Sequence, residues 1–167
     1  MAYTGLESGD GVTLERIKKG LSPQQAEQGM AKAKAAGIEV LLSIIFGIGG
    51  KERSQEHIQA TTRLLNVMQP EELAPMALAI QPGTELEKEV EDGKFVLPTP
   101  LQILEEEQYL LQNMTGFATF YWGDHGNNIV PMKGPLPELQ EVFLNRVNQA
   151  IATHPVCKEE TLKTFAW

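Results

Sequence analysis

Residues 38–46 carry a dense apolar run, Val40-Leu41-Leu42-Ser43-Ile44-Ile45-Phe46, that ends in the glycines of residues 47–51. A strand with one wet face alternates apolar and polar side chains. A strand that is apolar at both parities reads as covered on both faces, and that is the mark of a parallel sheet. Parallel neighbours need crossover connections, so the segments on either side are expected to be helices followed by further strands.

The rest of the chain fits that demand. Residues 2–7 read as a short strand with a turn at Ser8-Gly9-Asp10-Gly11, and a short helix over about 13–19 stops at Gly20. Ser22 and Pro23 start the next helix, with Ala26, Met30 and Ala33 on one face and Gly37 as its stop. After the glycine loop, Ser54 is placed to cap a helix carrying Ile58, Thr61, Leu65 and Met68 on one stripe, ended by Pro70. Residues 73–80 read as a third strand, in which Pro75 lacks a ladder donor and marks an edge or a bulge. A helix near 84–92 follows, then one starting at Thr99-Pro100 with Ile103, Leu104, Leu110 and Leu111 inward and Glu105-Glu106-Glu107 outward as a solvated face. An extended piece over 117–122, a polar loop over 123–134 and a helix over about 137–153 complete the chain. Leu139, Val142, Phe143, Val147, Ala150 and Ile151 form the apolar side of that last helix. Strand–helix alternation of this kind implies an α/β fold with a parallel sheet, in one domain spanning 1–167.

Charge and cysteine content exclude several classes of function. The 167 residues carry a formal charge of −8, whereas nucleic acids and anionic membranes recruit basic surfaces, so neither is an expected partner. No apolar run approaches the roughly 18 residues of a membrane span, and there is no signal-peptide pattern. Cys157, in a polar tail with Lys158, Glu159 and Glu160, is the single cysteine; an internal disulfide is excluded and a reducing cytoplasm is the expected location. One thiolate cannot hold an iron–sulfur cluster, and no metal site is expected. Nucleotide fingerprints fail as well: Gly47-Ile48-Gly49-Gly50 lacks the Walker lysine spacing, and no Gly-x-Gly-x-x-Gly opens a helix.

Three stretches, in order, resemble one family. Tyr3-Thr4-Gly5-Leu6-Glu7-Ser8-Gly9-Asp10, followed by Leu14-Glu15-Arg16-Ile17-Lys18-Lys19-Gly20, is similar to the fourth strand and following helix of a radical S-adenosylmethionine (SAM) barrel. Leu42-Ser43-Ile44-Ile45-Phe46-Gly47-Ile48-Gly49-Gly50-Lys51-Glu52 and then Gln81-Pro82-Gly83-Thr84 keep the same order. The likeness, over about residues 3–130, is to the elongator and oxygen-independent coproporphyrinogen oxidase branch of that superfamily, and to the C-terminal half of its barrel. It implies a partial parallel (β/α) barrel of about three parallel strands with covering helices over 1–98, plus a C-terminal helical extension over 99–167.

By the same resemblance SAM is the expected cofactor. Glu7, with Ser8 beside it, holds the position that hydrogen-bonds SAM, and Lys19 the basic position that pairs with its carboxylate. Ser43 falls at a contact to the ribose, Gly47, Ile48 and Gly49 lie against adenine and ribose, and the backbone of Gln81, Pro82 and Gly83 faces the adenine edge. Read as residues alone, Glu7 equally caps the following turn, Lys19 complements a helix C-terminus and Ser43 is a core hydroxyl. The family often has Asp-His-x-x-Asn where Asp124-His125-Gly126-Asn127-Asn128 stands. That string serves as a base with its orienting carboxylate, as a metal ligand with its second carboxylate, or as a turn whose Asp and Asn bond their own backbone. His57 and His154 show no partner that suggests chemistry.

The family's cluster ligands, a Cys-x-x-x-Cys-x-x-Cys motif, are not in this sequence, so the 4Fe–4S group is not bindable by this chain alone. The resemblance therefore implies the SAM-cradling portion of an iron–sulfur oxidoreductase, inactive by itself. A stand-alone nucleoside- or SAM-binding module and a self-associating remnant without catalysis are the alternatives. A cluster-binding N-terminal half or a second copy is the expected partner, because Tyr3 and its neighbours would lie on an unpaired sheet edge.

Overall fold

In the computed structural model, which describes residues 1–153, the apolar run becomes strand β2, Val40–Phe46. It lies between β1, Ala2–Glu7, and β3, Glu72–Ala77, and is parallel to both. Strand β4, Thr119–Gly123, runs parallel to β3, and β5, Met132–Leu136, returns antiparallel to β4. The result is an open five-stranded sheet in the order β1-β2-β3-β4-β5. Two of its strands come from the segment after residue 99, which was expected to be helical apart from one short extended piece; part of the supposed polar loop over 123–134 is the start of β5.

The helices are α1, Gly11–Arg16; α2, Pro23–Ala35; α3, Gly50–Met68; α4, Glu85–Glu91; α5, Pro100–Asn113; and α6, Gln140–Thr153. Their starts follow from local chemistry. Ser22 with Gln25 and Thr99 with Gln102 form reciprocal capping boxes, each with proline in the first turn, so orphan amides are bonded where the helix begins. Helix α3 begins at Gly50 rather than at Ser54, with a break in helical geometry at Arg53 (φ −117°, ψ 17°) that leaves Ser54 pointing inward.

Consecutive parallel strands in sequential order, joined by right-handed crossovers, carry their helices on one face. Leu6, Val40, Leu42, Ile44, Phe46, Leu73 and Tyr121 are buried on that face. Beneath them Ile103, Leu104, Leu110 and Leu111 of α5 are also buried, each worth about 1.5–3 kcal/mol relative to exposure. The opposite face carries Tyr3, Leu41, Glu72 and Phe120 in one row of the register, and Gly5, Ser43 and Ala74 in the next. There Tyr3 is exposed, and Leu41, Ala74, Met76 and Phe120 are half-buried. Strand β2 is thus parallel as its composition demanded, but among the described residues its second face is only partly covered.

Pro75 shows why an interior strand tolerates proline. β4 pairs with β3 only at Glu72 and Leu73, so beyond Leu73 that side of β3 is a free edge. The Asn128 side chain occupies it, accepting from Ala77 N–H (2.7 Å) and donating to the Pro75 carbonyl (2.9 Å). No ladder donor is required from Pro75 on that side.

Two expectations for side chains are overturned. Glu106 and Glu107 are buried, not solvated. They sit three and four residues after Ile103 on the stripe that continues to Leu110, so helical geometry turns them to the core. Val142 of α6 is exposed, while Phe143 and Val147 carry that helix's buried contact.

Candidate functional site

Parallel strands β1 to β4 end at one rim, where loops converge and ligands are usually held. Glu7 ends β1, residues 47–49 follow β2, residues 81–83 lie beyond β3, and residues 124–128 follow β4. The sheet therefore brings these four segments to one of its ends.

Among the described residues three non-glycines have positive φ, Glu7 (+64°), Lys18 (+55°) and Gln69 (+48°), and Glu7 is the one that ends a strand at this rim. Such strain persists where surroundings over-determine it, and it concentrates at functional sites. Its carboxylate accepts from Lys19 Nζ at 2.9 Å, with both side chains about one-fifth to one-quarter exposed (19% and 27%). The pair folds back over Gly5: a Cβ there would collide with Glu7 Oε1 and come within 3.1 Å of Lys19 Nζ. Gly5 is the register partner of Ser43, which is buried on the face away from the helices and is itself paired with Ala74. Glu7, Lys19 and Ser43 thus gather at one place on the open face.

Ser8 does not join them. It is fully buried, its hydroxyl bonded to His57 Nδ1 at 2.7 Å and accepting from Asp10 N–H at 3.0 Å. The glycine loop is anchored from beneath: Gly47 N–H donates to Glu106 Oε2 at 2.6 Å. Ile48 packs with Leu78, Ile80, Phe95 and Leu97 in a small apolar cluster that caps the rim. Gly49 is pressed on α3, where a Cβ would lie 2.8 Å from that of His57. Gln81, Pro82 and Gly83 form an exposed turn leading into α4; Gly83 N–H donates to Glu87, and the Thr84 hydroxyl donates to the Gln81 carbonyl. Ion pairs Arg16–Glu89 and Lys18–Glu85, both 2.7 Å, hold α4 beside α1, with a cleft of about 260 Å³ lined by Ile17, Ile48, Thr84 and Leu86 between them.

The Asp124 to Asn128 string is a built turn. Asn128 N–H donates to the His125 carbonyl at 3.0 Å, Asn127 bonds His125 and the Ala77 carbonyl, and Asp124 pairs with Lys133 at 3.0 Å. Asn128, buried, also donates to the Gly123 carbonyl, so it ties β3 to the end of β4. The Asn128–His125 backbone bond is a turn contact, whereas the Asp124 side chain bonds Lys133 and the Asn127 and Asn128 side chains reach the backbone of β3. No group of three or more His, Cys, Asp or Glu residues suited to a metal ion occurs among the described residues. Cys157 and His154 lie outside the described residues.

Sequence reasoning missed a buried polar network under the rim. His57 is fully buried and burial lowers its pKa to about 4, against the pull of Asp10 and the Ile45 carbonyl. Glu106 is pushed up to about 8 by burial, although hydrogen bonds from Ser54 (2.6 Å) and Gly47 favour its anion. Burial raises Asp10, but bonds from Arg53 and Thr13 outweigh it and leave its pKa low. The available signal was spacing: Ser54, His57 and Thr61 fall on the stripe that contains Ile58 and Leu65, and Glu106 on that of Ile103 and Leu110.

Comparison with protein-family models and with curated proteins gives no match to this chain.

Proposed function

We propose that this chain is the SAM-cradling unit of a radical SAM iron–sulfur oxidoreductase, equivalent to the second half of a (β/α) barrel. The observation that carries the reading is the Glu7–Lys19 pair, held by a strained backbone over a bare glycine at the rim of a sequentially ordered parallel sheet. A carboxylate and an ammonium side by side complement the amino and carboxylate groups of an amino-acid moiety, and Ser43 and the loop of residues 47–49 lie where the adjacent strand would offer contacts to a nucleoside. Ser8, being internal, is a support and not a contact. The chain's own residues do not fit an iron–sulfur cluster, since its sequence holds one cysteine; the electron source has to come from another polypeptide segment, and no reaction step is assigned to this one.

Calorimetry with S-adenosylhomocysteine tests the site. Removing a charge-assisted hydrogen bond to a partly exposed ligand costs about 1.5–3 kcal/mol, so Glu7→Ala is expected to weaken binding about tenfold or more. Equal affinity in wild type and variant, or no binding to the wild type, rejects it.

One observation favours self-association as a second reading. The β5 edge is blunted by Lys133 and Pro135, devices that discourage strand pairing, whereas Ala2, Tyr3 and Thr4 on the β1 edge are exposed and carry none. The open face beside that edge includes half-buried Leu41 and Phe120. Light scattering after size exclusion is expected to give a dimer at micromolar concentration; a clean 18.4 kDa species defeats this reading.

A further inference from the structure

Both rim loops rest on α3, between Arg53 and Thr61, and the contacts are of different kinds. Gly9 lies against its backbone, with its N–H donating to Thr61 Oγ1 at 2.8 Å. Ser8 bonds His57, and Asp10 takes two bonds from Arg53 at 3.0 Å each. From the other side, Gly49 touches His57 and the Arg53 carbonyl. Glu106 of α5 closes the circuit: Oε1 accepts from Ser54 of α3, Oε2 accepts from Gly47, and His57 Nε2 faces Oε2 across 3.7 Å. That nitrogen has no partner in hydrogen-bond geometry and faces the Glu106 carboxyl across the gap, with the Ile45 carbonyl and Asp10 also pulling on the ring.

We infer that Glu106 and His57 are positioning residues that lock the Glu7-Ser8 turn and the loop of residues 47–49 into one body, so that the protonation of Glu106 sets the spacing of the two. In the adenosyl-site reading, on which only the binding consequence rests, these loops meet opposite ends of the ligand. The two oxygens of Glu106 are already occupied by donors from Ser54 and Gly47. An acid proton there competes with those donors, whereas the anion accepts from both and attracts the His57 ring. Burial places this exchange near neutral pH, since the Glu106 pKa is pushed up to about 8. The charged or titratable groups around it are His57, Asp10 and Arg53 on the α3 and α1 side and Glu107 on α5; Glu107 turns away to accept from Tyr121.

The test is an NMR titration of the full chain without ligand from pH 6 to 9.5, following the Gly47 amide, the His57 ring and the Gly9 amide. A common midpoint near 8 is expected for all three. Glu106→Gln, which keeps an acceptor and the side-chain shape, should remove that midpoint from all three. Ser8→Ala should leave Gly47 titrating and reduce the Gly9 response, which then passes only through Thr61, and it decides the matter if Glu106→Gln does not fold. A Gly9 amide that never titrates, or that follows pH as strongly in Ser8→Ala as in wild type, overturns the coupling. The affinity for S-adenosylhomocysteine should change several-fold with the same midpoint and become flat in Glu106→Gln. Flat affinity in wild type beside an intact NMR titration overturns the positioning role. Absence of any binding to the wild type instead removes the adenosyl-site reading, while the ligand-free titration still judges the coupling.

Discussion

Raising the pH from 5 to 8 is expected to destabilise this protein, with a fall in Tm of about 10 °C. The cause lies in α5. Burial raises Glu106 to about 8 and Glu107 to about 7 from an ordinary 4.5, so the folded chain holds two protons that the unfolded chain releases. Each such group contributes stability that is complete below 4.5 and is lost as pH rises through its folded pKa, at about 1.4 kcal/mol per pH unit. His57 works in the opposite sense. Burial lowers it from 6.5 to about 4, so its contribution is lost as pH falls through that window. Between 4.5 and 6.5 two carboxyl protons oppose one imidazole proton, and the balance still favours the folded state at lower pH. From 6.5 to 7 both carboxyls act unopposed, and from 7 to 8 Glu106 acts alone. The sum is about 3–5 kcal/mol, large against a typical stability of about 5–15 kcal/mol. On the acid side, the depressed Asp10 supplies stability that disappears as it is protonated. Thermal melts in matched buffers should show the slope, and Glu106→Gln and Glu107→Gln should each flatten part of it. A Tm that is constant from pH 5 to 8 would contradict the burial of these carboxyls.

Those two glutamates also show where the sequence stopped being legible. The strands and helices that carry the rim were readable because their signals are local: the apolar run at residues 40–46, Ser22-Pro23 and Thr99-Pro100 as helix starts, Gly37 and Pro70 as stops. Pro75 likewise marked an edge correctly, although the edge exists only beyond Leu73. Glu105-Glu106-Glu107 read as a wet face because three adjacent charges usually are one. Their partners Ser54, Gly47 and Tyr121 come from distant segments, and only the tertiary arrangement brings those donors into reach. His57 was passed over for the same reason, since Ser8 lies far from it in sequence. Strand β5 was hidden because Lys133, Gly134 and Pro135 have poor strand propensity; pairing with β4 overrides it, and a central glycine there leaves room for Leu139.

Gly9→Ala is expected to cost about 2–6 kcal/mol and to open the rim. A methyl group at that position would stand 2.6 Å from the Ala60 carbonyl oxygen and 2.6 Å from Thr61 Cα, both backbone atoms inside a helix. Neither can rotate away, so the turn after β1 must lift from α3. Overpacking alone accounts for about 1–3 kcal/mol. Lifting also stretches the Gly9–Thr61 bond and separates Ser8 from His57, leaving a fully buried ring with only the long Thr61 contact at Nδ1, for about 1–3 kcal/mol more. Gly29→Ala provides the comparison. Gly29 lies within α2, a Cβ there meets nothing within 4 Å, and the same chemical change should stabilise the chain by about 0.5–1 kcal/mol through helix propensity. Urea unfolding of the two variants separates a glycine required for close approach from one that is merely tolerated. A Gly9→Ala midpoint equal to that of wild type would mean that the turn does not rest on α3, and the coupling of the two rim loops would fall with it.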